Sequence, residues 1–302
     1  MPNIIINNTC NQRCSYCFAE ESMTYDALPV KNQKNSTFIS ILRFLRKNNY
    51  NDVRFLGGEP LLHPLLEKFI LLAHKGWFRT RLFSNLNFSE TYVQEKFQNP
   101  QSIPQTINAN INNRDFYSEK EYSHVIANLL FFKNSGTLVT LGYNIYDLSK
   151  SFDDIALVAR ETEISHINLK VTNTTIWTPL IVDTSSRAYG EYIFSIIEKF
   201  GEEFEFVFSC WLSRSIFLDR EIAYMNQLWI FPNYGCAWFS GKFDIDIDGS
   251  IYKCFPTRSL YLKKSLSIYN FKSEEQLFSI VNIVPSDWVC RAHSLSSYEK
   301  PL

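Results

Sequence analysis

The sequence predicts an α/β protein: a partial (β/α)6 barrel over residues 1–205, followed by a small α+β domain over residues 206–302. Three observations carry this reading. Short apolar or β-branched runs alternate with helical patterns of roughly ten to fifteen residues, which implies right-handed βαβ crossovers and a parallel sheet. Six such strands can be counted before residue 205. A closed eight-stranded barrel takes ~250 residues, so six units fit an open, TIM-like partial barrel. Beyond Glu205 the rhythm changes, and Asp248-Gly249 between two alternating runs signals a β-hairpin.

The elements follow in order. Residues 3–7 are a β-branched run that reads as a buried strand, ended by the helix-breaking Asn8-Thr9-Cys10-Asn11. Ser36 can cap a helix over 36–48, with Phe38, Ile41, Leu42 and Leu45 at helical spacing. Strands are then expected at 52–56, 80–83, 106–111, 137–145 and 166–171, separated by helices at 64–74, 90–97, 119–133 and 152–160. A helix at 189–200 closes the barrel. The tail holds Val207-Phe208-Ser209-Cys210, a polar helical stretch at 219–226, and the alternating Phe243-Asp244-Ile245-Asp246-Ile247. After Asp248-Gly249, Ser250-Ile251-Tyr252-Lys253-Cys254 returns as the second arm of the hairpin.

With 45% hydrophobic and 20% charged residues the composition is globular, neither disordered nor fibrous. A net charge of -1 and the lack of any Lys/Arg run give no electrostatic footprint for nucleic acid. The N-terminus has no basic segment leading into a long apolar one, and no stretch reaches the ~18 apolar residues of a membrane span. A cytoplasmic protein with neither nucleic acid nor membrane as partner is therefore expected. Seven cysteines is an odd count, and three fall within eight residues at Cys10, Cys14 and Cys17, which suits a reducing compartment and metal ligation.

Cys10-Asn11-Gln12-Arg13-Cys14-Ser15-Tyr16-Cys17 sets three thiols at C-x₃-C-x₂-C spacing in the loop after the first strand. Four cysteines would close an iron-sulfur cube as an electron carrier, whereas three leave one iron open to a substrate or cofactor. A zinc knuckle or a plain free-cysteine loop is the alternative. Leu56-Gly57-Gly58-Glu59-Pro60 follows the second strand; side-chain-free glycines let a ligand approach the backbone, and an acid suits an ammonium group. Alone, this stretch would read as a tight turn.

The two motifs, in this order and at these strand ends, closely resemble the radical S-adenosylmethionine (radical SAM) superfamily. The resemblance runs from Ile4 to about Val171 and is specific at Cys10 to Phe18 and at Gly57 to Pro60. It implies a [4Fe-4S] cluster on Cys10, Cys14 and Cys17 whose unique iron chelates S-adenosyl-L-methionine. An electron from that cluster, supplied by a flavodoxin- or ferredoxin-type donor, would cleave the sulfonium to a 5′-deoxyadenosyl radical that abstracts hydrogen from substrate. The same resemblance implies that Gly57, Gly58 and Glu59 line the methionine amino group and that Tyr16 lies beside the adenine. Ser84, Asn85, Asn110 and Asn144 fall where the family places polar contacts to the cofactor. Each could equally be a loop-capping Ser or Asn. His63, just past the Gly-Gly-Glu-Pro stretch, reads as a helix-start residue and not as a base.

Cys236, Gly249 and Cys254 match the auxiliary-cluster pattern C-x₉₋₁₅-G-x₄-C of the SPASM and Twitch subfamilies, and the single-cluster Twitch type is the better match. Once three cysteines are assigned to the first cluster, Cys210, Cys236, Cys254 and Cys290 remain as the four thiolates of a closed auxiliary [4Fe-4S] cluster. Cys210 could instead be a buried free thiol, and His293 could replace it or take part in a zinc site. A closed auxiliary cluster can accept an electron from a substrate radical, which favours net oxidation. The expected substrate is a ribosomally made peptide, cross-linked or dehydrogenated. Because the chain begins at its first barrel strand, a small alcohol or sugar stays open. Epimerisation needs a free cysteine, and a non-enzymatic Fe-S or zinc module must explain away the three-thiol loop.

Overall fold

The computed structural model describes residues 2–17, 19, 29–171, 186–209, 212, 214–232, 243–252 and 266–272. The α/β alternation is present throughout. Strands β1 (Asn3–Ile5), β2 (Asp52–Leu56), β3 (Arg79–Ser84), β4 (Thr106–Ile111), β5 (Leu138–Ile145) and β6 (His166–Val171) alternate with helices. The helices are α1 (Asn35–Lys47), α2 (Leu66–Lys75), α3 (Glu90–Lys96), α4 (Glu119–Asn134), α5 (Asp153–Thr162) and α6 (Arg187–Phe200). Neighbouring strands pair in parallel in chain order. A further parallel strand, β7 (Glu205–Phe208), adds to β6 and carries the sheet past the six expected strands. The polar stretch after it forms α7 (Asp219–Gln227).

Strand alternation gives the sheet two unlike faces. Ile107, Ala109 and Ile111 of β4, Leu141, Tyr143 and Ile145 of β5, and Ile167 and Leu169 of β6 are buried in the apolar core with Val125, Leu129 and Phe132 of α4. The alternate positions Asn108, Asn110, Gly142, Asn144, Asn168 and Lys170 make the other face polar. Helix α4 begins with a reciprocal capping box, Glu121 N to Ser118 Oγ at 3.3 Å and Ser118 N to Glu121 Oε2 at 2.9 Å. Helix α1 begins two residues earlier than a cap at Ser36 implies: Lys34 takes the cap position without a side-chain bond, and Ser36 lies inside the helix.

The Asp248-Gly249 hairpin joins the same sheet. Strand β8 (Asp244–Ile245) pairs in parallel with β1 and antiparallel with β9 (Ile251–Tyr252), giving the order β7-β6-β5-β4-β3-β2-β1-β8-β9. Its turn has three residues between Asp246 and Ser250, not two. Gly249 N bonds Asp246 O at 2.9 Å, and Gly249 itself takes φ +89°, the left-handed conformation glycine adopts most readily. Asn3 Nδ2 donates to Asp244 Oδ1 at 2.6 Å, and Phe243 packs against Tyr50 and Phe44, so the hairpin is anchored to both β1 and the end of α1.

Candidate functional site

The loop carrying Cys10, Cys14 and Cys17 leaves β1 and is tied down on both sides. Asn8 Oδ1 accepts from Lys31 N at 2.7 Å, and Asn11 bonds the β3 end through Asn85 Nδ2 and Asn87 O, both at 2.8 Å. Inside the loop Cys17 N bonds Cys14 O at 3.0 Å, a tight turn that folds the second half back. All three cysteines are half-buried. Burial pushes the Cys10 thiol up to about 12, opposed by a backbone bond from Gln12 and aided by the like charges of Glu59, Cys14 and Cys17. Burial likewise pushes Cys14 up to about 11. Such thiols stay protonated at neutral pH until a cation draws the protons off.

Among the described residues no three His, Cys, Asp or Glu side chains form a ready single-ion site. A four-iron cube separates its thiolates more widely than one tetrahedral ion does, and three soft sulfur donors with no hard oxygen partner suit iron-sulfur ligation. The donor set therefore fits a cluster.

Gly57, Gly58 and Glu59 run alongside this loop as an extension of the β1–β2 pairing. Gly58 N donates to Asn7 O at 3.1 Å and Glu59 N to Thr9 O at 2.7 Å. Asn7, fully buried, also donates from Nδ2 to Glu59 O at 2.8 Å. A Cβ on Gly57 would lie 2.0 Å from Asn7 Oδ1 and 2.8 Å from Asn7 O. Gly57 thus lacks a side chain because Asn7 fills that space, a requirement internal to the protein.

Glu59 is 1% exposed. Oε1 accepts from Leu61 N at 2.9 Å and Ser84 Oγ at 2.8 Å, and Oε2 accepts from Asn85 N at 2.8 Å. Burial pushes its carboxyl up to about 7, opposed by those three donors. The side chain locks the β2 end to the β3 end. His63 is also buried: Nδ1 accepts from Leu65 N at 3.1 Å, the other ring nitrogen faces Gln33 O, and burial lowers the ring to about 4. It is a neutral structural residue at the start of α2, as its position suggested.

The ends of β4 and β5 gather a second group. Tyr16 Oη donates to Asn112 Oδ1 at 2.5 Å, and its ring lies 4.7 Å from that of Tyr146. Burial raises the pKa of the Tyr16 hydroxyl well above the ordinary value, and the nearby Asn144 side chain opposes that rise. Asn112 N donates to Tyr117 Oη at 3.0 Å. Asn110 lies deeper, accepting from Lys170 Nζ at 2.5 Å beside Asn108, which accepts from the same amine at 2.8 Å. Lys170 crosses β5 at Gly142, where a Cβ would come within 2.6 Å of Nζ.

Tyr16, Asn144 and Cys14 thus meet at one place, Glu59, Ser84 and Asn85 meet at another, and Asn110 sits below them. Cys210, Cys236, Cys254, Cys290 and His293 lie outside the described residues. Asn7, Gln12, Asn112, Tyr117 and Lys170 were not singled out from sequence. For Asn112 a signal existed, because Asn108, Asn110 and Asn112 recur at alternate positions through the end of β4.

Comparison with known proteins gives a family likeness and a fold likeness. Residues 4–96 match the Radical SAM superfamily. An S-adenosylmethionine-dependent nucleotide dehydratase of Thermoplasmatales archaeon (strain ISO4-H5) is 32% identical over 84 residues, 28% of this chain and 28% of the relative. A GTP 3′,8-cyclase of Chlorobaculum tepidum is 33% identical over 70 residues, 23% of this chain and 20% of that protein. The matched segments therefore span less than a third of these relatives. Among solved structures, Streptococcus suis SuiB bound to precursor peptide SuiA superposes with a TM-score of 0.65 at 18% identity, covering 91% of this chain and 64% of that one. Native anSMEcpe with bound AdoMet gives 0.64 at 13% identity, covering 92% of this chain and 80% of that one. The fold is the α/β partial barrel of those structures, and the likeness to the Radical SAM superfamily covers residues 4–96 of this chain.

Proposed function

We propose that the chain is a radical S-adenosylmethionine oxidoreductase that abstracts hydrogen from a ribosomally made peptide, leaving a cross-link or a dehydrogenated residue. The observation that carries this is the loop of three half-buried cysteines, Cys10, Cys14 and Cys17, bonded along its edge to the Gly57–Glu59 segment. These cysteines hold a [4Fe-4S] cluster, which with bound S-adenosyl-L-methionine supplies one electron and a 5′-deoxyadenosyl radical. The protein's own part is to release the thiol protons on loading, to fix the strand ends through Glu59, and to keep the loop rigid through Asn11 and Asn7. Gly57, Gly58 and Glu59 line the methionine amino group, Tyr16 the adenine, and Ser84, Asn85, Asn110 and Asn144 supply polar contacts.

The folds of SuiB, solved with its precursor peptide, and of anSMEcpe, solved with a Kp18Cys peptide, support a peptide substrate. A small-molecule substrate is the second reading, supported by the nucleotide and GTP substrates named for the two sequence relatives. Residues 206–302 contribute an auxiliary [4Fe-4S] cluster on Cys210, Cys236, Cys254 and Cys290, which takes an electron from the substrate radical. A flavodoxin- or ferredoxin-type protein reduces the first cluster in the cytoplasm. No helix among the described residues is long and apolar enough to cross a membrane.

Anaerobically reconstituted protein should form 5′-deoxyadenosine with a strong reductant, and Cys14→Ala should abolish it. Undiminished product in that variant would sink the assignment. Full reconstitution should yield about eight irons per chain, and the Cys236→Ala/Cys254→Ala variant about four, with S-adenosylmethionine cleavage kept and substrate oxidation lost. Four irons in the wild type would remove the auxiliary cluster from the proposal.

A further inference from the structure

Gln12 lies between Cys10 and Cys14 in the loop, and Asn112 follows the last residue of β4. Both are more than nine-tenths buried, at 7% and 5% exposure. In each, the amide nitrogen meets no acceptor: Gln12 Nε2 and Asn112 Nδ2 are both buried and unbonded. Both side chains adjoin Cys14. Gln12 Oε1 lies 4.0 Å from Cys14 Sγ, in reach of the thiol proton. Asn112 gives Oδ1 to the Tyr16 hydroxyl, and its side chain, like that of Tyr16, favours the Cys14 thiolate.

Buried amide donors without acceptors are rare, and each calls for a partner that the protein alone does not supply. When the Cys14 proton leaves, Gln12 Oε1 loses the donor it faced, and a half-turn of the carboxamide brings Nε2 to the sulfur instead. Neither donor has a carboxylate or carbonyl in place; the Tyr117 hydroxyl lies near both but already accepts from Asn112 N, and the acceptors a loaded loop would add are sulfurs.

We propose that Gln12 and Asn112 donate hydrogen bonds to the sulfurs of the cluster on Cys10, Cys14 and Cys17 and thereby raise its reduction potential. The inference rests on that cluster being present, the reading given under the proposed function. The reduced cluster carries one more negative charge, spread over its sulfurs, so N–H donors stabilise it more than the oxidised form. Burial strengthens the effect because the low local dielectric leaves the added charge poorly screened. Both are positioning and tuning residues; neither is a cluster ligand.

The test is a potentiometric titration of the anaerobically reconstituted full chain, followed by EPR of the reduced cluster whose signal changes on adding S-adenosylmethionine. Gln12→Leu and Asn112→Leu should keep the wild-type iron content. Each should lower the midpoint potential by about 59 mV, a tenfold loss in the one-electron reduction equilibrium. Gln12→Glu and Asn112→Asp preserve shape, remove the donor and add negative charge, so they should lower it further and serve wherever a leucine variant fails to load. Wild-type potentials in loaded variants at both positions would overturn the tuning role while leaving the cluster intact. A wild-type chain with no S-adenosylmethionine-responsive signal would overturn the cluster reading, and this inference with it.

Discussion

The strand ends of β1 to β3 and those of β4 and β5 are built on opposite principles. At the first, the polar groups answer one another: Glu59 receives three donors, Asn85 meets Asn11, and Gly58 and Glu59 bond the chain of Asn7 and Thr9. Apart from Asn7 Oδ1, pressed against Gly57, that corner is complete without a ligand. At the second, Tyr16, Asn112 and Gln12 surround Cys14 and leave two amide donors unmet. One corner pairs its own polar groups, and the other leaves two buried donors unpaired.

The largest effect should come from breaking the closed corner at its tightest point. Gly57→Val drives its side chain into Asn7 and should destabilise the fold by about 3 kcal/mol, seen in denaturant unfolding. Gly58→Val, its neighbour, should leave the midpoint of unfolding near wild type and instead abolish S-adenosylmethionine binding in a titration. Equal loss of stability in both variants would show that the two glycines serve one purpose.

A comparable effect sets two buried groups that follow β2 apart by pH. His63 is held neutral at about 4 against an ordinary 6.5, so its unfolded form takes up a proton first. Its contribution is present above pH 6.5 and lost as pH falls toward 4, on the order of 3 kcal/mol over that window. Glu59, raised to about 7 from 4.5, runs the other way: its contribution is full below 4.5 and lost as pH rises through 7. Stability curves of His63→Gln and Glu59→Gln against pH should therefore diverge from wild type on opposite sides. Parallel curves would contradict the burial-driven shifts.

The smallest effect is expected at the open corner. Tyr117→Phe removes the acceptor of Asn112 N and leaves that N–H unpaired, a cost of about 1 kcal/mol in unfolding free energy. A loss as large as that of Gly57→Val would mean that this corner, too, is closed scaffold.

How much could be read from the chain depended on how far apart the interacting residues stand. Strands β2 to β6 and helices α1 to α7 were legible because their periodicity is local, with Ile107, Ala109 and Ile111 alternating against Asn108 and Asn110. The Asp248-Gly249 signal was sufficient for a hairpin but not for its three-residue turn, which the pairing of Asp246 with Ser250 decides. Strand β7 was hidden because four residues, Glu205–Phe208, carry too little pattern without β6 beside them.

By itself the sequence determined the α/β alternation, the C-x₃-C-x₂-C loop at a strand end and the glycine-rich segment opposite it, since each is written in residues close along the chain. Only the tertiary structure decided that Gly57 is bare on account of Asn7, that Asn112 meets Tyr16 across 96 positions, and that β8 reaches back 241 positions to bond Asn3. These are contacts between segments that parallel pairing brings together, and parallel strands meet through long crossovers whose partners no local spacing announces.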